Sequence, residues 1–222
     1  MFLFNHSFPP TDQIIAILAS FVIATTIHEC MHAYVAWRLG DDTGRRLGRI
    51  TLNPIEHFDP IGFFGMVLIS LGYTMVGWGK PVPVNPGALR WHQRGMAIVA
   101  AAGPISNIVQ AAVIGIPLRI AEAAGADLGK LGTYLGWYVW VNLLLAAFNM
   151  IPIPPLDGHK MLMGILPNFW YPILAPLEQW GFLVLLLIIF LGGSAGARFF
   201  NALYAPVYDL LFRVILGNGF HL

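Results

Sequence analysis

The chain has few charged residues and a single cysteine. Only 10% of its 222 residues are Asp, Glu, Lys or Arg, and the formal net charge is +1. Soluble domains carry about 25% charged residues, so the composition excludes an ordinary soluble protein. The near-zero net charge indicates no nucleic-acid partner, because proteins that bind nucleic acids usually have a basic surface. The lone Cys30 excludes a disulfide within the chain.

Long apolar runs stand in place of the missing charge, and hydrophobic residues make up 57% of the chain. A run of about 20 apolar residues is long enough to cross a bilayer as a helix. We therefore predict an all-α, multi-pass protein of the cell membrane, with five to six transmembrane helices in a single domain, 1–222. The predicted spans are 12–37, 96–121, 132–151, 178–192 and a weaker one at 197–216.

The segment between the first two of these spans has a different character. Residues 44–54, GRRLGRITLNP, show the short alternation of a strand. Residues 61–79 are apolar but contain five glycines, which is not the pattern of a simple span. We predict a small membrane-associated β segment or a re-entrant hairpin in this part of the chain.

Ionisable residues interrupt the first apolar run at HECMH, residues 28–32. His28 and His32 are four residues apart, so on a helix both imidazoles lie on one face and can bind one zinc ion. Glu29 then lies beside the metal, where it can act as general base toward water. The alternative is a pair of packing histidines, but clustered ionisable groups inside a membrane helix usually serve a function. We predict one zinc ion per chain.

A catalytic zinc site usually has a third protein ligand. Asp157, in PIPPLDGHK, follows a helix that prolines bring to an end. Its alternative role is to cap the next helix. Glu56, His57 and Asp59, in NPIEHFDPIG, are competing ligands. The residues alone leave this choice open.

Three motifs in one order resemble a known family. HECMH at 28–32, GPISN at 103–107 and NMIPIPPLDG at 149–158 together resemble the site-2 proteases, intramembrane zinc metalloproteases of peptidase family M50. The chain is similar to the small bacterial and archaeal branch, without a PDZ or CBS domain. The resemblance covers about residues 20–165 and implies a three-helix catalytic core over about 12–165. The apolar runs beyond it predict additional C-terminal transmembrane helices over about 171–217.

The resemblance also implies roles for individual residues. Asp157 becomes the third zinc ligand, beside the two histidines, and Glu29 remains the base. Asn149 matches an asparagine that helps to hold the substrate or the oxyanion, and Asn107 matches the asparagine of the glycine-proline motif. Both asparagines have an alternative role in hydrogen bonds between helices. His57 is either a satisfied loop histidine or a group that steadies developing negative charge.

Basic residues indicate the orientation of the chain. The zinc ligands must meet, so the predicted spans 12–37 and 132–151 end on the same side of the membrane. Most of the Lys and Arg residues fall on that side, which the positive-inside rule makes cytoplasmic. The active site is thus predicted within the bilayer, nearer the cytoplasm.

The predicted activity is regulated intramembrane proteolysis, in which the partners are a transmembrane protein substrate and the lipid bilayer. The main alternative is a membrane metal transporter or metal-sensing protein that uses the same His and Asp ligands. A peptidase anchored in the membrane and acting on soluble peptides shares the chemistry. The oligomeric state stays open.

Overall fold

The computed structural model describes residues 9–73, 75–191 and 193–217. The ends of the predicted domain 1–222, and residue 192 of the predicted span 178–192, lie outside the described residues. The helices, in chain order, are α1 (Thr11–Arg38), α2 (Thr43–Arg46), α3 (Pro54–His57), α4 (Pro60–Ser70), α5 (Gln93–Ala123), α6 (Gly129–Asn149), α7 (Asp157–Ile165), α8 (Tyr171–Leu191) and α9 (Gly193–Ile215), with 3₁₀ turns at Pro86–Ala88 and Asn168–Trp170.

Three of these helices, α1, α5 and α6, are long and apolar enough to cross a membrane. Two shorter apolar helices are α4 and the first part of α8, Tyr171–Leu187. The described residues contain helices and no strand. The prediction of an all-helical membrane protein is thus confirmed, whereas the count of five to six spans stays a prediction.

The three long helices form the centre of the structure, with α1 and α6 running in the same direction. At their shared N-terminal end, the Asp12 carboxylate accepts hydrogen bonds from Lys130 Nζ at 3.0 Å and from the Tyr134 hydroxyl at 3.2 Å. Farther along, Phe21 of α1 and Val141 of α6 lie in one buried apolar cluster. The C-terminal ends of α1 and α6 therefore meet at the opposite end of the molecule.

The antiparallel helix α5 packs against both α1 and α6. Its Ala111 and Leu118 form a second buried cluster with Val139 of α6 and Ile215 of α9. The N-terminal half of α5, which contains the GPISN motif, consequently lies beside the C-terminal ends of the other two helices.

The predicted strand at 44–54 is wrong. Residues Thr43–Arg46 form the short helix α2, and Gly48 follows with a φ of +70° that ends it. The side-chain pattern is also the reverse of a half-buried strand, because Leu47 and Leu52 are exposed whereas Arg49 is buried. The alternation of charged and apolar residues therefore does not mark a half-buried strand here, because the arginine points inward and the leucines point outward.

The described residues of the glycine-containing run 61–79, which are 61–73 and 75–79, pack back on one another. Helix α4 runs to Ser70, and an extended segment of residues 75–84, here called the strap, returns along it. A Cβ at Gly62 would overlap the Trp78 carbonyl, and one at Gly65 would overlap that of Val76. Gly62 and Gly65 therefore let the strap pack directly on the backbone of α4.

Candidate metal centre and active site

His28, His32 and Asp157 meet at the C-terminal ends of α1 and α6. The two Nε2 atoms are 3.0 Å apart, and the Asp157 Oδ2 atom lies 3.2 Å from that of His28 and 3.3 Å from that of His32. Ligands about 2.0–2.1 Å from a tetrahedral zinc ion are about 3.3–3.4 Å from one another. The three donor atoms thus have nearly the spacing of three ligands to one zinc ion.

Gly103 of α5 leaves the space that an ion needs beside these imidazoles. A Cβ at this position would overlap the Nε2 atoms of both His28 and His32. Within the described ranges, these two histidines and Asp157 are the group whose ligand atoms lie close enough together to hold a metal ion. Two imidazoles and one carboxylate are a donor set of catalytic zinc sites, so the residues fit zinc.

Asp157 reaches the histidines through a short, packed turn. Helix α6 ends at Asn149, and Asp157 is the first residue of α7. A Cβ at Gly158 would overlap the carbonyls of Met150 and Ile151, so a glycine is needed where the turn folds back on itself. Burial raises the pKa of the Asp157 carboxyl, but the adjacent histidines lower it by more. The pKa therefore lies below its ordinary value.

Buried amides fix the tautomer of His28. Asn142 Nδ2 donates to the Tyr138 carbonyl at 3.0 Å, so its Oδ1 faces Asn107. Asn107 Nδ2 donates to that oxygen at 2.9 Å, which turns the Asn107 Oδ1 atom toward His28 Nδ1, 2.6 Å away. An oxygen can only accept, so Nδ1 carries the proton and Nε2 presents its lone pair to the metal position.

His32 is oriented in the same manner by the backbone. Its Nδ1 donates to the Val99 carbonyl of α5 at 2.7 Å, which leaves Nε2 free to bind a metal. Such outer partners set both ring orientation and ligand basicity in metal sites. Helix α5 therefore supports both histidines, one through Asn107 and the other through its main chain.

Glu29 faces a cavity of about 280 Å³ that opens beside the three ligands. Its Oε2 atom accepts a hydrogen bond from the Val82 N–H of the strap at 3.0 Å. Trp78 of the strap and Phe182 of α8 line the cavity and contact each other edge to face, with ring centroids 5.2 Å apart. Glu29 thus lines the same cavity as His28, His32 and Asp157, together with these aromatic side chains.

The other predicted site residues lie in different surroundings. Asn149 lines the cavity, and its Nδ2 donates to the Leu145 carbonyl at 3.0 Å. Asn107 is fully buried behind His28. His57 is 2% exposed and lies outside the cavity lining, where its Nε2 donates to the Thr51 carbonyl at 2.9 Å. Burial lowers the pKa of His57, and the neighbouring Arg49 lowers it as well.

The structure does not bring the competing acidic ligands to the histidines. Asp59 caps α4 by accepting hydrogen bonds from the main-chain N–H groups of Ile61 and Gly62. Glu56 is exposed on the short helix α3. The ligand cluster within the described ranges contains neither of them.

Sequence reasoning missed three contributors to this site: Gly103, Asn142 and the Val82 amide. Gly103 is the glycine of the GPISN motif. A glycine inside an apolar helix is a signal that another group packs closely against the helix backbone. Asn142 is an isolated polar residue in an apolar helix. The Val82 amide carries no side-chain signal, although the flanking prolines mark it as the one donor at 81–83.

Comparisons with known proteins agree with this geometry. The pattern of "Peptidase family M50" matches residues 104–192. The chain is 36% identical to YwhC of Bacillus subtilis over 78% of either chain, and 30% identical to Rip2 of Mycolicibacterium smegmatis over 79% of this chain and 66% of that protein. MJ0611 of Methanocaldococcus jannaschii is 30% identical over 72% of this chain and 76% of its own. All three are named "Putative zinc metalloprotease".

No solved structure matches the chain. The family pattern covers α6 and the Asp157 turn, and the alignment with the Bacillus protein covers more than two thirds of both chains. The prediction of a zinc metalloprotease is therefore confirmed. The chain belongs to peptidase family M50, the family of the site-2 proteases.

Proposed function

We propose that the chain is an intramembrane zinc metalloendopeptidase that cleaves transmembrane or membrane-adjacent segments of other proteins. One observation carries the proposal. The His28, His32 and Asp157 donor atoms converge to within 3.3 Å of one another beside Glu29, at the ends of helices that can cross a membrane. Burying such a cluster inside a membrane costs free energy, so its presence indicates a functional site.

Each residue of the cluster has a defined task. His28, His32 and Asp157 hold zinc, which when bound acidifies a water molecule and polarises the scissile carbonyl. Glu29 takes a proton from that water and then donates it to the leaving amine. Asn149 lines the cavity, which supports a role in holding the substrate or the oxyanion. Asn107 serves the site through its hydrogen bond to His28.

The proposed depth of the site follows from its place on α1. His32 lies six residues before Arg38, the last residue of the helix, which is a rise of about 9 Å along the axis. The site therefore lies inside the bilayer but near one surface, which the basic residues make the cytoplasmic one. The α4–strap hairpin leaves and returns on this side, so we propose that it dips into the membrane without crossing it.

A substrate helix must unwind before it can be cut, because its amides are shielded by internal hydrogen bonds. The strap is extended and lines the cavity through Trp78 and Val82. An unwound segment that enters here would lie beside Glu29. The apolar walls suit a membrane segment better than a polar peptide.

A metal transporter is the less favoured alternative. Transport needs a polar path from the ligands to both surfaces. On the far side of the histidines, however, the described core is closed by Phe21, Ala24 and Val141, which are buried and apolar.

The test uses the purified protein in liposomes and a defined probe. The probe is a single-span helix of about 21 Leu and Ala residues with a central Gly-Pro pair that weakens the helix, labelled with a dye and a quencher at its two ends. We expect the wild type to cut the probe and Glu29→Gln to lose at least about 100-fold in rate, because a general base contributes 10²–10⁴-fold. Zinc content, measured by mass spectrometry, should be the same in both.

Retained cutting by the Glu29→Gln variant would show that this carboxylate is not the base. Cutting of unfolded casein but not of the helix would favour a peptidase of soluble chains. Zinc flux into the liposomes that survives Glu29→Gln would favour a transporter.

A further inference from the structure

Arg49 is a buried cation with no acidic partner in the part of the chain that the structure describes. It is 4% exposed, whereas Arg46 on α2 has a 76% exposed side chain and pairs with Asp42. Its guanidinium instead donates to two carbonyls of the strap, that of Pro81 at 3.0 Å through Nη1 and that of Lys80 through Nη2. Burying a charge away from a counter-ion is costly, so this position needs an explanation.

The strap carries one main-chain donor at this point. Pro81 and Pro83 have no N–H group, which leaves Val82 as the donor of the three residues. The Val82 N–H goes to Glu29 Oε2 at 3.0 Å. The strap therefore offers Glu29 one hydrogen bond at this point. A hydrogen bond from the residue before or after Val82 is excluded, because both neighbours are prolines without an N–H group.

Arg49 and Glu29 hold the two edges of one peptide group. The Pro81 carbonyl, which accepts from Arg49, and the Val82 N–H, which donates to Glu29, belong to the same planar unit. Fixing the oxygen therefore fixes the direction of the N–H. The positive charge at the oxygen also polarises the group and strengthens its N–H as a donor.

His57 supports the same arrangement from behind. Its carbonyl accepts from the Lys80 N–H at 2.8 Å, next to the peptide that Arg49 holds. Its Nδ1 lies 3.4 Å from Arg49 Nη2, while its Nε2 donates to Thr51. His57 therefore contacts both the guanidinium and the strap, and neither contact reaches the cavity.

We propose that Arg49 is a positioning residue for the base: it orients the Pro81–Val82 peptide, which in turn holds the Glu29 carboxylate toward the water that is to be deprotonated. The inference rests on the proposed function only in taking Glu29 as that base. One carboxylate oxygen stays tied to the strap, which leaves the other to accept the proton. Misplacing a reacting group by about 1 Å costs about 100-fold in rate, so this tether matters for turnover.

Arg49→Lys tests the proposal, because an ammonium keeps the charge but lacks the planar fork that reaches two carbonyls at once. On the dye-labelled helix probe we expect kcat to fall about 10- to 100-fold with KM and zinc content unchanged. The matched control is Arg46→Lys, the same change at an exposed arginine of the same segment, which should match the wild type.

Val82→Pro compared with Val82→Ala isolates the hydrogen bond. Both remove the valine side chain, but only proline removes the N–H, so the ratio of their kcat values measures the tether. A second readout needs no cleavage: hydrogen exchange of residues 75–84 in the zinc-loaded protein should be faster in Arg49→Lys than in Arg46→Lys.

Three results would overturn the inference: an Arg49→Lys kcat equal to that of the wild type, a loss of zinc in that variant, or a fall in kcat/KM that lies wholly in KM. Failure of the proposed function looks different, because the wild type and Glu29→Gln would then cut the probe equally. In that case hydrogen exchange still decides whether Arg49 holds the strap.

Discussion

The cavity has a helix wall, which carries His28 and His32, and a strap wall, which holds Glu29. The two walls fix these side chains in different ways. On the helix wall, His28 and His32 are tied to α5 and α6 by hydrogen bonds. The partners are Asn107, Asn142 and the Val99 carbonyl. Both asparagines are 0% exposed. On the strap wall, Glu29 is tied to one backbone N–H from an extended segment, and the neighbouring Lys80 and Pro81 are exposed.

This difference matches two separate needs of the proposed reaction. A metal must be retained through many turnovers, which favours ligands locked by packing and by outer hydrogen bonds. A substrate must enter and leave, which favours a wall with few buried contacts, since such segments open most readily. In the proposed reaction, the helical, buried wall would keep the metal, and the wall formed by the strap would admit the substrate.

The largest expected effect comes from breaking the helix wall at its carboxylate. Asp157→Asn leaves two neutral imidazoles to face a 2+ charge in a buried site, which is strongly unfavourable. We expect zinc affinity to fall by more than the roughly 10- to 100-fold lost with an outer partner, and cleavage to be abolished. Zinc content after dialysis and cutting of the helix probe are the measurements.

The competing acids serve as controls for this change. Glu56→Gln and Asp59→Asn should keep the metal, since one carboxylate is exposed on α3 and the other caps α4. Zinc retained by Asp157→Asn but lost from either of the other two would contradict the assignment of the third ligand.

A smaller effect is expected from the outer partners on the same wall. Asn107→Ala removes the acceptor of His28 Nδ1 and should weaken zinc binding about 10- to 100-fold. Asn142→Ala should weaken it less, and it should add nothing in the Asn107→Ala background, because Asn142 reaches His28 only through Asn107. Competition with a zinc chelator measures the affinities.

Asn149→Ala is the matched control for these two variants. Its side chain lines the cavity and donates to the Leu145 carbonyl, away from the histidines. It should leave zinc affinity unchanged whatever it does to cleavage. Strictly additive losses in the Asn107/Asn142 double variant would show that the two amides act independently.

The helix wall could be largely anticipated from the sequence, for a physical reason. The four-residue spacing of His28 and His32 places both on one face of any helix, so no tertiary information is needed. The joining of Asp157 to them rested on the family resemblance, since Glu56 and Asp59 also follow the pattern of acids near prolines. Which acidic residue reaches the histidines depends on how the turn after α6 packs. That packing involves contacts between residues far apart in the sequence, so the local pattern does not reveal it.

The strap wall could not be anticipated in the same way. Any residue except proline can supply a main-chain donor such as the Val82 N–H, so no residue type marks it. The alternation around Arg49 is typical of a strand, in which a basic residue would point outward. Burial of Arg49 inverts that pattern. The guanidinium turns inward toward the carbonyls of Lys80 and Pro81, which lie more than 30 positions away in the chain.

The smallest expected effect is a pH dependence of the strap wall. Burial lowers the pKa of His57 below its ordinary value of 6.5, and Arg49 lowers it too. The hydrogen bond to the Thr51 carbonyl opposes the shift, and so do Glu29 and Glu56 to a smaller extent. The unfolded chain therefore takes up this proton at a higher pH than the folded chain. The stabilisation from neutral His57 is complete above about pH 6.5 and is lost as the pH falls through the folded-state pKa.

We therefore expect the melting temperature of the wild type to fall more than that of His57→Asn between about pH 7.5 and about pH 5.5. Each kcal/mol lost lowers the melting temperature of a protein of this size by about 2–4 °C. The asparagine variant keeps a polar side chain that does not titrate, and it retains every other histidine, so their contributions cancel in the difference. Parallel pH profiles for the two proteins would show that neutral His57 does not stabilise the contacts between Arg49 and the strap.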